Sequence, residues 1–241
     1  MTTIANNLQQ VQGRIAQACK AAGRDAGNVL LLAVSKTFGP DAVAEAAAAG
    51  QRAFGENYIQ EAVDKILALR DMPALSGGGL QWHCIGPIQS NKTRLVAEHC
   101  DWVHTVDRLK IAERLSAQRP AHLPPLQVCI QVNMDGGATK SGVPPQEAVA
   151  LAQAIALLPR LRVRGLMSIP DVAPDFSAQL AVHQATRRLF DQIAAARLAR
   201  LEAFDTLSMG MTADLEAAIQ AGSTMVRVGT GIFGVRTRAT P

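Results

Sequence analysis

Apolar residues fall in short runs that recur along the chain, each separated from the next by a stretch with helical spacing. The runs at 29–34, 52–54, 81–85, 102–106, 126–132, 162–167, 205–208 and 224–228 read as strands. Between them, 41–50, 57–70, 90–99, 108–118, 145–158, 175–200 and 212–221 read as helices. One more helix precedes the first strand, with Ile4, Leu8, Val11 and Ile15 on a single face. Thr212 is expected to cap the last helix, with Asp214 and Glu216 in its first turn and Gly222 just past its end. Regular alternation of this kind implies parallel strands joined by crossover helices. It predicts the α/β class and a single (β/α)8 TIM barrel with an extra N-terminal helix, occupying 1–241 as one domain. An open doubly wound sheet shares the local pattern, but eight strands in 241 residues match a closed barrel of typically about 250.

Composition narrows the function classes. The formal charge is +4, yet Lys and Arg are scattered and aromatics are only 4%, so stacking platforms for nucleic acid are missing. No apolar run approaches the roughly 18 residues of a membrane span. Residues 1–15 carry polar side chains throughout and lack a signal-peptide core, so a cytoplasmic location is expected. Cys19, Cys84, Cys100 and Cys129 lie far apart without a C-x-x-C pair and read as reduced core thiols. The glycines of 76–79 precede a strand rather than open a helix, so they read as a surface turn.

Lys36 is the first residue with chemistry, standing two positions after the apolar run 29–34 at the carboxyl end of the first strand. A lysine there either ends the strand in water or stands partly dehydrated at a ligand face. Dehydration would lower its pKa from about 10.4 and supply a free amine able to form an imine. The loops after strands seven and eight, where barrels commonly bind phosphate, carry Ser208, Gly229, Thr230 and Gly231. Gly229, Gly231 and Gly234 also spell G-x-G-x-x-G, but seven following residues leave no room for a dinucleotide fold. The remaining alternatives are a phosphate cradle and a tight terminal turn. Arg227 ends strand eight and is either a rim ion pair or the partner of a ring nitrogen. An imine-forming lysine, a phosphate cradle and this arginine together fit pyridoxal 5′-phosphate. A guanidinium keeps its proton, so the ring nitrogen would stay unprotonated and the ring would be a weak electron sink.

Ordered segments along nearly the whole chain bring a resemblance. They include Ala33-Val34-Ser35-Lys36-Thr37, Phe54-Gly55-Glu56-Asn57-Tyr58, Trp82-His83-Cys84-Ile85-Gly86, His104-Thr105-Val106-Asp107-Arg108, Ser208-Met209-Gly210-Met211 and Met225-Val226-Arg227-Val228-Gly229-Thr230. In these the chain resembles the pyridoxal phosphate homeostasis protein family, related to the barrel domain of alanine racemase. The resemblance implies that Lys36 is the Schiff-base lysine, that Arg227 pairs with the pyridine nitrogen and that Ser208, Gly229 and Thr230 contact phosphate. Asn57 would lie near the ring or cap the following helix. Cys84 departs from the bulky aromatic more usual there, and local repacking is expected. His83, His104, His99, His122 and His183 show no ligand spacing and read as core or surface residues. Trp82 and Trp102 are expected between barrel and helices, and Lys92 and Lys140 on solvated loops.

That resemblance implies a non-catalytic carrier that holds pyridoxal phosphate reversibly and helps maintain vitamin B6, with pyridoxal-phosphate-dependent apoenzymes as partners; a closed barrel needs no partner for its core, so a monomer is expected. A racemase-like enzyme would need a second acid/base opposite Lys36; the lone tyrosine, Tyr58, starts a helix within the barrel. A lysine Schiff-base aldolase using a substrate phosphate is the third reading.

Overall fold

A computed structural model describes residues 3–70, 72, 79–137 and 140–234. Eight strands close into one parallel barrel in chain order: β1 Leu30–Val34, β2 Ala53–Glu56, β3 Gln81–Cys84, β4 Trp102–Val106, β5 Leu126–Val132, β6 Leu161–Ser168, β7 Thr206–Ser208 and β8 Met225–Val228. Closure sets Leu30 of β1 opposite Met225 of β8, and Ala33 opposite Val228. The α/β barrel expected from the alternation is therefore the observed fold.

Helices α1 Ile4–Ala21, α2 Pro40–Ala48, α3 Ile59–Leu69, α4 Thr93–His99, α5 Leu109–Gln118, α6 Pro145–Ala156, α7 Phe176–Ala195, α8 Leu215–Gln220 and α9 Thr230–Phe233 accompany the strands. The strand period of two divides each strand between an outer and an inner layer. In β8, Val226 and Val228 pack outward with α1 residues Leu8, Val11 and Ile15, which leaves Met225 and Arg227 on the barrel side. In β7, Leu207 joins the outer core and Ser208 faces inward. Trp82 lies in the outer layer as expected, 5.7 Å from Phe54. Trp102 corrects the expectation for it: it clusters with Cys129 and Met167 and stacks on His83, 5.3 Å away and inclined by 8°.

The helices differ from the pattern in three places. The seventh helix was expected to reach residue 200, but it stops at Ala195, and Arg197 and Arg200 turn into the left-handed region with φ of 44° and 64°. Thr212 is not a cap. The Asp214 carboxylate accepts the Met211 N–H at 2.6 Å, closing a loop over 211–214, and α8 begins at Leu215. Gly222 does follow that helix with φ of 101°, a value that suits glycine. The third difference is α9, a single turn directly after β8 that the glycine pattern concealed. The turn expected at 76–79 lies, apart from Gly79, outside the described residues.

The extra N-terminal helix braces α8, α9 and the loop before α8. Asn7 donates to the Ile232 carbonyl at 2.9 Å, and Arg14 grips Glu216 at 2.8 and 2.9 Å while donating to the Thr212 carbonyl at 2.9 Å. Leu8, Val11 and Ile15 share one apolar cluster with Leu215, Ile219 and Ile232. Among the described residues no helix is long and apolar enough to cross a membrane, and no His, Cys, Asp and Glu group could hold a metal ion.

Candidate functional site

The carboxyl ends of β1, β2 and β8, with the loops after β3, β6 and β7, enclose a cavity of about 290 Å³. Its walls are Val34, Lys36, Asn57, Ile85, Ile169, Met211, Thr212, Ala213, Arg227, Gly229 and Thr230. A larger hollow of about 460 Å³ opens beside the amino ends of β1 to β3, lined by Gln12, Gln51, Arg52 and Gln81 among others. It contains no nucleophile. The smaller mouth gathers an amine, a guanidinium, an amide and two hydroxyls, so the chemistry is assigned there despite its size.

Lys36 follows β1 by two residues and is half-buried. Thr37, next to it, holds a φ of 69°, an uncommon backbone for a β-branched residue and one that gathers at functional sites. Lys36 thus stands at an apolar strand end, on the ligand side of the barrel.

Arg227 is 4% exposed and has no carboxylate partner among the described residues. One Nη1 serves both the Ser208 carbonyl and the Ser208 hydroxyl at 2.7 Å, and Nη2 donates to the Ser168 carbonyl at 2.9 Å. A guanidinium has five N–H donors, so three such bonds leave two for the cavity it lines. Burial lowers its pKa to about 10, which still keeps it cationic at neutral pH. Among the described residues Arg227 is therefore not a rim ion pair but a cavity-lining cation held by neutral oxygens.

Behind Arg227 runs a polar chain that sequence reasoning missed. The Ser208 hydroxyl lies 3.0 Å from His104 Nδ1, His104 Nε2 lies 2.9 Å from His83 Nδ1, and His83 Nε2 lies 3.0 Å from Gln81 Oε1. One proton direction satisfies every link. The Gln81 amide oxygen accepts from His83 Nε2–H, so His83 Nδ1 accepts from His104 Nε2–H, and His104 Nδ1 accepts from Ser208. Both imidazoles are held neutral. Burial pushes His83 down to about 3, and burial, His83 and the Arg227 charge hold His104 well below the usual range. The spacing of two residues within β3 and within β4 was the available signal, since it sets Gln81 beside His83 and Trp102 beside His104 on the inner face.

At the opposite edge, Gly229 and Thr230 open α9, and Thr230 Oγ1 lies 3.3 Å from Thr212 Oγ1. A side chain at Gly229 would come within 3.2 Å of the Val34 carbonyl, and one at Gly231 within 2.9 Å of Val228. The glycines thus let the backbone of this turn pack closely on its neighbours, and the Thr212 and Thr230 hydroxyls stand together on the cavity wall. Ser208 does not join them. Its side chain is fully buried and committed to Arg227 and His104, while Thr212, freed from the helix it was expected to cap, stands on the cavity wall.

Asn57 is also on the wall, and its Oδ1 is buried without a hydrogen-bond partner. It does not cap α3, which starts after Tyr58 with no side-chain cap bond. Gly86 packs against it so closely that a Cβ would lie 2.0 Å from the Asn57 carbonyl oxygen. Lys92 and Lys140 line no part of the cavity, and Lys140 pairs instead with Asp135 and with Asp171, the latter at 2.7 Å. Of the six residues expected at the site, Lys36, Asn57, Arg227, Gly229 and Thr230 therefore share one cavity and Ser208 stands behind it.

The family model described as alanine racemase, N-terminal domain, matches residues 4–237. The pyridoxal phosphate homeostasis protein of Pseudomonas aeruginosa is 56% identical over 241 residues, covering 100% of this chain and 99% of the relative. The structure of PipY from Synechococcus elongatus PCC7942 with PLP bound superposes with a TM-score of 0.77 at 35% identity, covering 91% of this chain and all of that one. The alanine racemase of Corynebacterium glutamicum shares the fold at a TM-score of 0.65 and 20% identity, over 99% of this chain and 62% of its own.

Proposed function

We propose, for a chain that belongs to the alanine racemase N-terminal domain family and within it to the pyridoxal phosphate homeostasis proteins, that the barrel mouth binds pyridoxal 5′-phosphate through a reversible Schiff base on Lys36. Its task is to hold and release the cofactor within the intracellular supply, without catalytic turnover. One observation carries the reading: Lys36, Asn57, Arg227, Gly229 and Thr230 line a single cavity of about 290 Å³. The residues suit the group. The orphaned Asn57 oxygen, the two remaining Arg227 donors and the Gly229–Gly231 cradle match, in turn, a polar ring substituent, a ring nitrogen and a phosphate.

Bound pyridoxal phosphate supplies an aldehyde carbon that amines capture reversibly and a ring that can accept electrons from it. Lys36 provides the amine. Arg227 orients the ring nitrogen by hydrogen bonding and, as a cation at neutral pH, gives it no proton, which weakens the ring as an electron sink. Thr230, Thr212 and the backbone around Gly229 hold phosphate, and Ser208 acts on Arg227 rather than on phosphate. Among the described residues that line the cavity, Lys36 and Arg227 alone carry ionisable side chains, which supports a carrier over an enzyme needing a second acid/base. The reading includes one cofactor-binding barrel domain over 1–241, working in the cytoplasm as a monomer and serving pyridoxal-phosphate-dependent apoenzymes.

The test is the visible absorbance spectrum of the protein with pyridoxal phosphate, before and after Lys36→Ala. A Schiff-base band present in the parent and lost in the variant is the expected result. No band in either protein would overturn cofactor attachment, and a band kept by the variant would move it to another lysine.

A further inference from the structure

Both peptide groups that flank Lys36 are tied to a charge cluster outside the cavity, buried at Lys65 and Glu56 and partly exposed at Glu61. Lys65 of α3 is 3% exposed, and its ammonium lies 2.8 Å from the Ser35 carbonyl oxygen, 2.7 Å from Glu56 Oε1 and 2.7 Å from Glu61 Oε1. Three donors meet three acceptors. The Ser35 hydroxyl also donates to Glu56 Oε1, and the Thr37 N–H donates to Glu61 Oε1. The Ser35 carbonyl belongs to the peptide entering Lys36 and the Thr37 N–H to the peptide leaving it. Fixing the planes of those two peptides fixes the φ and ψ of Lys36, and with them the direction in which its side chain leaves the backbone.

We propose that Lys65 is a positioning residue for Lys36, holding the Ser35–Lys36–Thr37 turn so that the amine is presented to the cavity. The inference rests on reading Lys36 as the attachment residue. A buried ion pair is weak evidence of a stabilising role, because its desolvation offsets its attraction. This cluster does something a pair kept for stability alone need not do, since it spends its bonds on the backbone either side of one residue. The left-handed φ of 69° at Thr37 fits the same picture, because a β-branched residue keeps such a conformation only when its surroundings impose it.

The test pairs Glu56→Gln with Lys65→Met, so that no lone charge stays buried. Borohydride trapping followed by mass spectrometry reads the rate at which pyridoxal phosphate attaches to residue 36. Pyridoxine 5′-phosphate, which has no aldehyde, reads noncovalent binding. The expected variant is folded, binds the alcohol within about threefold of the parent, and attaches the aldehyde at least tenfold more slowly. Adding Thr37→Gly, which adopts a positive φ without strain, should recover part of that rate. Equal rates in parent and folded double variant overturn the positioning role. Absence of attachment at Lys36 in the parent overturns the underlying reading instead. If the double variant fails to fold, Glu61→Ala releases the Thr37 N–H while keeping the Glu56–Lys65 pair, and an unchanged rate there also overturns the proposal.

Discussion

Arg227 Nη1 lies 2.7 Å from the hydroxyl oxygen of Ser208, and that contact makes Ser208 the link between the cavity-lining guanidinium and the barrel interior. The hydroxyl accepts from the arginine and donates to His104, so its only proton and one of its lone pairs are both in use.

Ser208→Ala should therefore act through Arg227. It removes one guanidinium bond and leaves the buried His104 Nδ1 without a donor, at a cost of about 1–3 kcal/mol in unfolding free energy. Affinity for pyridoxal phosphate and for unphosphorylated pyridoxal should fall by the same factor. Denaturant unfolding and two ligand titrations check this; a loss confined to the phosphorylated ligand would return Ser208 to the phosphate.

Thr212→Ala and Thr230→Val should give the opposite pattern. Each removes a hydroxyl at the cradle, and a hydrogen bond to a charged group contributes about 1.5–3 kcal/mol, or roughly ten- to a hundredfold in affinity. The loss should appear with pyridoxal phosphate and be nearly absent with pyridoxal, as measured by the same titrations.

Much of this geometry was legible before any coordinates. The continuous apolar run 29–34 announces a buried strand, and counting the strand-like segments through to 224–228 indicated where Lys36 and Arg227 would emerge. What stayed hidden depends on register between strands. His83 and His104 meet only because β3 and β4 are staggered so that His83 sits opposite Trp102, and nothing local to either strand carries that offset. Ser208 was assigned from its neighbourhood rather than its parity, although inward Ser208 and outward Leu207 differ by the single step that reverses a strand's face. Lys65 carries no motif that singles it out in the sequence; its signal is positional, since it shares its helix face with Ala62 and Leu69, which are buried.

The two imidazoles should make the fold acid-sensitive. In the unfolded chain they take up protons near pH 6.5, whereas in the folded chain His83 does so only near 3 and His104 well below its usual range. Below pH 6.5 the unfolded state binds more protons, so stability is complete above that pH and falls as pH drops. The slope is about 1.4 kcal/mol per pH unit for each histidine. Glu56 acts in the other sense, because burial raises its carboxyl, so the histidine contribution is isolated by difference. Urea unfolding from pH 7.5 to 5 should show a shallower decline in a His83→Asn, His104→Gln variant; identical slopes would mean that the pair is not held neutral.

Gly86→Ala should disturb the site from behind. The new Cβ would fall 2.0 Å from the Asn57 carbonyl oxygen, which belongs to the backbone and cannot rotate aside. A loss above about 3 kcal/mol in unfolding free energy is expected, with ligand affinity falling further than in Asn57→Ala. Equal affinities in the two variants would show that the approach of Gly86 does not set the wall.

The helix α1 also gives the protein a clock. Its apolar face is satisfied by Leu215, Ile219 and Ile232, and its Asn7 and Arg14 by oxygens of Ile232, Glu216 and Thr212, all made long after it. At 5–20 residues per second, roughly 10–45 s separate the first helix from those partners. Throughout that interval a nascent chain carries an uncovered amphipathic helix and half a ligand mouth, with Lys36 already emerged and Arg227 still to come. The mouth is thereby complete only in chains whose synthesis has passed β8 and α9.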